Sequence, residues 1–150
     1  MDPLSIIAST LAITQALGIG IKKLRSIANT STEFLDMLNE LSTLQGLLSQ
    51  LEAAEESLGD SQLPATVLTS AANQLETVRI ELAQIVKALT AMTSKLLDRA
   101  PRPFRESGEG KLSIVQWQRV RGKVLQLRNQ ARQCRDNLSA CLGLLGLSQT

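Results

Sequence analysis

Hydrophobic residues recur every seven positions along most of this chain, and this spacing predicts long helices. The clearest repeat lies between residues 65 and 99, where a row of leucines is followed three residues later by a second apolar row. The two rows consist of Leu68, Leu75, Leu82, Leu89 and Leu96, and of Ala71, Val78, Ile85 and Met92. Positions spaced in this way share one face of a helix, which typically packs against another helix. We therefore expect a helix from about Ala65 to Arg99.

Two more repeats of this kind predict helices at residues 32–58 and 113–145. The rows of the earlier one are Phe34, Leu41 and Leu48, with Met37, Leu44, Leu51 and Leu58. The rows of the later one are Trp117, Val124, Ala131, Leu138 and Leu145, with Val120, Leu127, Cys134 and Cys141. Residues 99–112 contain two prolines and two glycines. Since these residues break helices, we expect a flexible loop there.

The N-terminal segment carries no charge between Pro3 and Ile21, and Lys22, Lys23 and Arg25 follow at once. Its large apolar residues lie on nearly every side of a helix. They are Leu4, Ile6, Ile7, Leu11, Ile13, Leu17, Ile19 and Ile21. A helix that is apolar all round is either buried in a core or embedded in a membrane. A signal peptide is disfavoured because its positive charges would precede the apolar run.

Small residues also recur every four positions along this segment. They are Ala8, Ala12, Ala16 and Gly20. Such a row lets two helix backbones approach closely, in lipid or in a soluble bundle. We expect the helix to run to about Ala28, this row to be its close-packing face, and residues 4–17 to be mostly buried.

Four long helices in 150 residues predict an all-α fold. We expect a single domain, an antiparallel bundle of about four helices with the hydrophobic one at the N-terminus. Hydrophobic residues make up 43% of the chain and charged residues 20%, which is typical of globular proteins.

The residue types that are missing exclude much chemistry. The chain has no histidine and no tyrosine, which rules out histidine-based acid–base pairs, nucleophile–histidine pairs and histidine metal sites. Cys134 and Cys141 are two helical turns apart, about 10 Å, which is too far for a disulfide. They are expected to be apolar core residues in a reducing compartment. We expect no enzyme activity, no catalytic residue, no metal, no cofactor and no small-molecule substrate.

Charge is distributed unevenly along the chain. Residues 1–60 hold three basic and eight acidic side chains, a net charge of −5, whereas residues 101–150 hold nine basic and three acidic ones, a net charge of +6. A basic ridge on the last helix consists of Arg121, Arg128, Arg132 and Arg135. The ridge either forms ion pairs with acidic residues of the second helix or binds anionic lipid headgroups. The acidic candidates are Glu33, Asp36 and Glu40.

The cluster of Lys22, Lys23 and Arg25 adds three further candidate contacts to anionic lipid. Nucleic acid is not an expected partner. The overall charge is only +2 and aromatic residues make up 2% of the chain, which leaves few side chains on which bases could stack.

Three stretches of the chain resemble the HeLo-like N-terminal domain of fungal STAND (NLR-like) proteins. They are the opening "MDPLSIIAS", the leucine-rich "LNELSTLQGLLSQLE" and the late "CRDNLSACLGL". The resemblance covers nearly all of the 150 residues. Many members carry a Trp-Pro-Phe turn before the last helix, whereas here "RPF" and Trp117 lie apart, so nothing functional transfers to that loop.

The resemblance implies a cell-death effector of fungal innate immunity and heterokaryon incompatibility. Such a domain self-associates, moves from the cytoplasm to the plasma membrane on activation, and permeabilises the phospholipid bilayer with its N-terminal helix, here Leu4 to Ile21. A nucleotide-binding receptor domain, in cis or in trans, is the further partner that the resemblance implies. The alternative function is a homotypic interaction or adaptor module that does not touch membrane, and the sequence leaves both open.

Overall fold

The structure is a computed structural model that describes residues 3–28, 31–59, 63–98, 110–111 and 114–146. Within these ranges the chain forms four long helices and one pair of two-residue strands. In chain order they are α1 (Pro3–Arg25), β1 (Ile27–Ala28), α2 (Thr32–Gly59), α3 (Ala65–Asp98), β2 (Gly110–Lys111) and α4 (Ile114–Leu144). The prediction of an all-α helical bundle with a hydrophobic N-terminal helix is confirmed.

Three helices begin and end within one residue of the predicted positions, and α1 ends earlier than predicted. The backbone N–H and the hydroxyl of Ser26 both donate to the carbonyl oxygen of Lys23, at 3.3 and 2.6 Å, and end the helix. Ile27 then pairs in parallel with Gly110, so the chain leaves α1 in an extended conformation. Apart from residues 110–111, the predicted loop at 99–112 lies outside the described residues.

Helix α1 packs against α2 and α3, and α4 packs against the same two helices. Helix α1 runs antiparallel to α2, because Arg25 near its C-terminal end contacts Ser42 in the first half of α2. It runs parallel to α3, since Gly20 lies against Leu89 whereas Ile7, earlier in α1, lies beside residues 68–75 of α3.

The remaining helix pairs complete the arrangement. Helices α2 and α4 run parallel, with Arg121 paired to Glu33 and Arg132 paired to Glu40. Helices α3 and α4 run antiparallel. Consecutive helices thus alternate in direction. Because α1 and α4 each pack against both α2 and α3, helix α2 lies diagonal to α3 and α1 lies diagonal to α4.

The predicted heptad rows form the core. The leucines of the heptad rows that the structure describes are buried, together with both cysteines, except that Leu68 is half-buried at the edge. The rings of Phe34 and Trp117 meet edge to face, with centroids 6.4 Å apart, where the N-terminal ends of α2 and α4 lie side by side. Burial of these apolar rows is the main force that holds the helices together.

The prediction that residues 4–17 are mostly buried is wrong. In that range Ile6, Ile7, Thr10 and Leu17 are buried, whereas five described side chains are exposed. The exposed ones are Ser5, Ala8, Ala12, Gln15 and Ala16. The reason is geometric: a helix with neighbours on two sides buries one stripe, even when its composition is apolar all round.

Candidate functional site

Helix α1 presents a strongly apolar face to the bundle. Of its predicted apolar residues, Ile6, Ile7, Leu17 and Ile21 are buried. Leu11 and Ile13 are partly buried against the core, and Ile19 is 52% exposed. The side chain of Leu4 lies outside the described side chains. The predicted apolar set is therefore divided between core and surface.

The row of small residues meets another helix at one position within this chain. A Cβ atom built on Gly20 would lie 2.4 Å from Cδ2 and 2.8 Å from Cγ of Leu89, so this glycine allows α1 to approach α3 closely. Ala8, Ala12 and Ala16 are exposed, so the close-packing prediction is wrong for these three within the bundle. As a contact between two copies of the chain, it stays a prediction.

The hydroxyl groups of α1 form hydrogen bonds inside the helix itself. The fully buried Thr10 donates through Oγ1 to the carbonyl oxygen of Ile6 at 2.8 Å, and Thr14 donates to that of Thr10 at 3.5 Å. Hydrogen bonds of this type move with the helix. Displacing α1 from the bundle would thus leave neither hydroxyl without an acceptor.

Few polar contacts connect α1 to its neighbours. In the described part of the chain, the hydrogen bond from the Arg25 guanidinium to the Ser42 hydroxyl is the one that joins an α1 side chain to another helix. Helix α4, by contrast, is bound to α2 by ion pairs and to α3 by the side-chain hydrogen bond from Asn137 to Glu81, at 2.6 Å. Helix α1 is held almost entirely by apolar packing.

An open groove runs along each side of α1. The groove towards α3 has a volume of about 430 Å³ and is lined by Ile19, Gly20 and Lys23 with hydroxyl residues of α3. The groove towards α2 has a volume of about 470 Å³ and is lined by Thr14, Gln15 and polar residues of α2. These grooves leave the flanks of α1 open to solvent.

By length and composition, α1 is able to cross a membrane from Ser5 to Arg25, a segment of 21 residues. In the part of the chain that the structure describes, it alone meets this criterion. One third of its apolar window is buried in the bundle. Core helices of soluble proteins and signal sequences meet the same criterion. The property therefore shows that α1 is long and apolar enough to span a membrane, and it does not show that α1 lies in one.

Three of the four arginines of the basic ridge form ion pairs with two glutamates of α2. Arg121 Nε lies 2.8 Å from Glu33 Oε1, and Arg132 Nε lies 3.0 Å from the carboxylate of Glu40, which also pairs with Arg135. The hydrogen bond from Arg121 holds the pKa of Glu33 below its ordinary value. Of the two interpretations of the ridge, the structure favours intramolecular ion pairs.

Two other charged candidates form no ion pair within the described residues. Arg128 donates to the side-chain oxygen of Asn129, and Asp36 has no basic partner there. Lys22, Lys23 and Arg25 are exposed at the C-terminal end of α1. These three cations are therefore candidate lipid contacts that stay accessible beside the apolar helix.

Both cysteines are free and buried in the core. Desolvation raises the pKa of the Cys134 thiol to about 12, with a further contribution from Glu81, and raises that of Cys141 to about 11. The thiol of Cys141 lies 3.5 Å from the carbonyl oxygen of Ala71. The prediction that the cysteines are core residues is confirmed, and their thiols are protonated at neutral pH.

Sequence reasoning did not predict the cavity between α3 and α4, which is lined in part by Lys95 and Arg119. No motif in the sequence signals it, because its two cations are 24 positions apart, on different helices.

Among the described residues, no group of three or more acidic or cysteine side chains has the geometry to hold a metal ion.

Comparisons with protein-family models, with curated proteins and with solved structures gave no match to this chain. The resemblance to HeLo-like domains therefore rests on the residues quoted above.

Proposed function

We propose that this chain is a cell-death effector domain that self-associates at the plasma membrane and permeabilises it by inserting α1. The observation that carries the proposal is that α1 combines the length and composition of a membrane-spanning helix with a weak polar attachment to the bundle. The helix is long enough and apolar enough to span a bilayer, and it is attached to its bundle almost entirely by apolar packing. The HeLo-like resemblance of the opening residues supports the same function.

The dimensions of α1 match those of a membrane. The 17 uncharged residues from Ser5 to Ile21 make a helix of about 26 Å at ~1.5 Å per residue, which is at the lower end of the range that spans a hydrocarbon core of about 30 Å. Lys22, Lys23 and Arg25 would then lie at the headgroup level, where anionic lipid attracts cations. Phospholipid is thus the proposed partner, and the plasma membrane the proposed site of action.

Release of α1 into water alone is unfavourable. Its buried apolar side chains are Ile6, Ile7, Leu17, Ile21 and Leu24. At roughly 1.5–3 kcal/mol each, exposing them costs on the order of 10 kcal/mol, which is comparable to the whole stability of a typical domain. In lipid the same side chains stay out of water. A membrane therefore lowers the cost of release, and the protein in solution keeps α1 in the bundle.

Dye leakage from vesicles tests this proposal in a variant whose α1 can be fixed in place. Gly18→Cys with Gln45→Cys puts a thiol on each of α1 and α2 at a close contact, in a background of Cys134→Ala and Cys141→Ala. We expect this variant to release dye from vesicles with anionic lipid, and a short thiol–thiol crosslinker to abolish the release.

The matched control is a crosslink that leaves α1 free. Glu33→Cys with Arg121→Cys, in the same background, joins α2 to α4 at their ion pair, and crosslinking it should leave leakage intact. Equal leakage from the variant with α1 crosslinked and from its uncrosslinked form would contradict insertion of α1.

A second candidate function is a homotypic interaction module that does not act on membrane. It is favoured by the exposed face of α1, which carries Ala8, Ala12, Ala16 and Ile19 and has no charge from Ser5 to Ile19. If this function is the correct one, the protein should self-associate in solution without releasing vesicle contents, and Ala12→Arg should make it monomeric in sedimentation experiments.

A further inference from the structure

A cavity of about 220 Å³ lies between the C-terminal part of α3 and the N-terminal part of α4. Among the described residues, its lining combines two apolar and three polar side chains: Leu96, Val120, Lys95, Gln116 and Arg119. Leu96 and Val120 are buried, whereas Lys95 and Arg119 are exposed. The cavity therefore has an apolar wall and two cations with access to solvent.

Neither cation has a carboxylate partner in the part of the chain that the structure describes. This differs from the other side of α4, where Arg121 and Arg132 each lie against a glutamate of α2. Two positive charges that line one small cavity repel each other, and an anion between them would turn this repulsion into attraction. The arrangement suits an anion that the described residues do not supply.

The helix ends beside the cavity strengthen this argument. Helix α4 begins at Ile114, and Gln116 of the cavity lies in its first turn, near the positive end of the helix dipole, which favours a nearby anion. The first turn of α4 has no acidic residue, and no Asp or Glu occurs from residue 114 to residue 135. Lys95 lies in the last turn of α3, where a cation is favourable.

We propose that this cavity binds a phosphate monoester carried on a short apolar group. The phosphate lies between Lys95 and Arg119, and the apolar group packs against Leu96 and Val120. The volume is below the roughly 300–1,000 Å³ of sites for drug-sized ligands, which restricts the ligand to a small group. The site does not involve α1, so this inference stands independently of the proposed function.

Calorimetric titration with octyl phosphate tests the site in the intact chain. We expect octyl phosphate to bind more tightly than inorganic phosphate, and octanol not to bind. Lys95→Gln and Arg119→Gln should each weaken the binding of octyl phosphate about fivefold, as expected for one exposed charge contact. Because both side chains are exposed, circular dichroism should show both variants fully folded.

Lys123→Gln is the matched control, because it removes an exposed cation of α4 that does not line the cavity. It should change the affinity less than twofold. Equal weakening by all three substitutions would indicate general attraction to a basic surface and overturn the proposal. Absence of binding to wild-type protein, or equal binding of octanol, would overturn it too.

Vesicles distinguish the two sources of such a phosphate. If flotation with phosphatidic acid vesicles depends on Lys95 and Arg119, the ligand is a lipid headgroup. If only dissolved octyl phosphate binding depends on them, the ligand is a free monoester. Both results support the phosphate site, and neither is a test of insertion by α1, which the leakage assay measures separately.

Discussion

Gly20 is the residue at which α1 comes closest to α3, and it offers a direct test of their packing. Gly20→Ala would place a methyl group 2.4 Å from the fully buried Leu89, so α1 must move away. We expect overpacking of about 1–3 kcal/mol to exceed the gain of about 1 kcal/mol from the helix propensity of alanine. Urea denaturation should show a loss of stability, and vesicle leakage should rise because α1 is loosened.

Gly18→Ala is the control for this substitution. Its methyl group would meet the end of the Gln45 side chain at 2.9 Å, which is flexible and moves aside easily. We expect Gly18→Ala to stabilise the protein by about 0.5–1 kcal/mol through propensity alone. If both alanines have the same effect, Gly20 is not a point of close packing.

The two buried thiols predict a decline of stability at alkaline pH. Their pKa values are about 12 and about 11 in the folded chain and near 9.0 when unfolded. Above pH 9 the unfolded chain has lost these protons while the native chain still holds them. This stability is therefore present below pH 9 and is lost as pH rises through 9 to 12.

Between pH 9 and 10 the free energy of unfolding of the wild type should fall by roughly 2 kcal/mol more than that of Cys134→Ala/Cys141→Ala. Denaturation curves at both pH values measure this, and parallel losses would contradict it.

At the scale of elements, the ion pairs between α2 and α4 provide a third prediction. Glu40 accepts from both Arg132 and Arg135, and its side chain is only 13% exposed. Arg135→Gln should lower the free energy of unfolding by up to about 1 kcal/mol and leave vesicle binding unchanged. Arg128→Gln removes a cation of the same ridge that lacks a carboxylate partner, and should change neither. Weaker vesicle binding by both variants would favour the lipid interpretation of the ridge.

The helices could be predicted from the sequence because heptad repeats and helix breakers are local signals. The end of α1 was harder to predict, since Ser26 and the pairing of Ile27 with Gly110 depend on a segment more than eighty residues away. Exposure of Ala8, Ala12 and Ala16 was not predictable either, because it depends on which helices flank α1. The same is true of the cavity at Lys95 and Arg119, whose two cations share no sequence pattern.

At the scale of the whole molecule, α4 packs against both α2 and α3, which lie diagonal to each other, so these three helices remain in contact without α1. Deletion of residues 1–21 should therefore leave α2, α3 and α4 as a helical unit of lower stability, and should abolish vesicle leakage. The deletion removes Gly20, which lies against Leu89, and so exposes this side chain to solvent. The truncated protein should therefore bind a hydrophobic dye that the full chain does not bind. Circular dichroism, thermal denaturation and dye fluorescence measure these effects. Full leakage from the truncated chain would place the membrane activity elsewhere.

The short pairing of β1 with β2 has a mechanical consequence for α1. Ile27 and Ala28 pair with Gly110 and Lys111 directly after the helix ends, so this pairing holds the chain at the C-terminal end of α1. Helix α1 has 23 residues and is about 35 Å long. If α1 inserts as proposed, its N-terminal end would reach the far leaflet first, and Lys22 and Lys23 would stay on the side from which the protein approached. A protease added outside sealed vesicles should accordingly cleave near Lys22 and spare an epitope at the N-terminus.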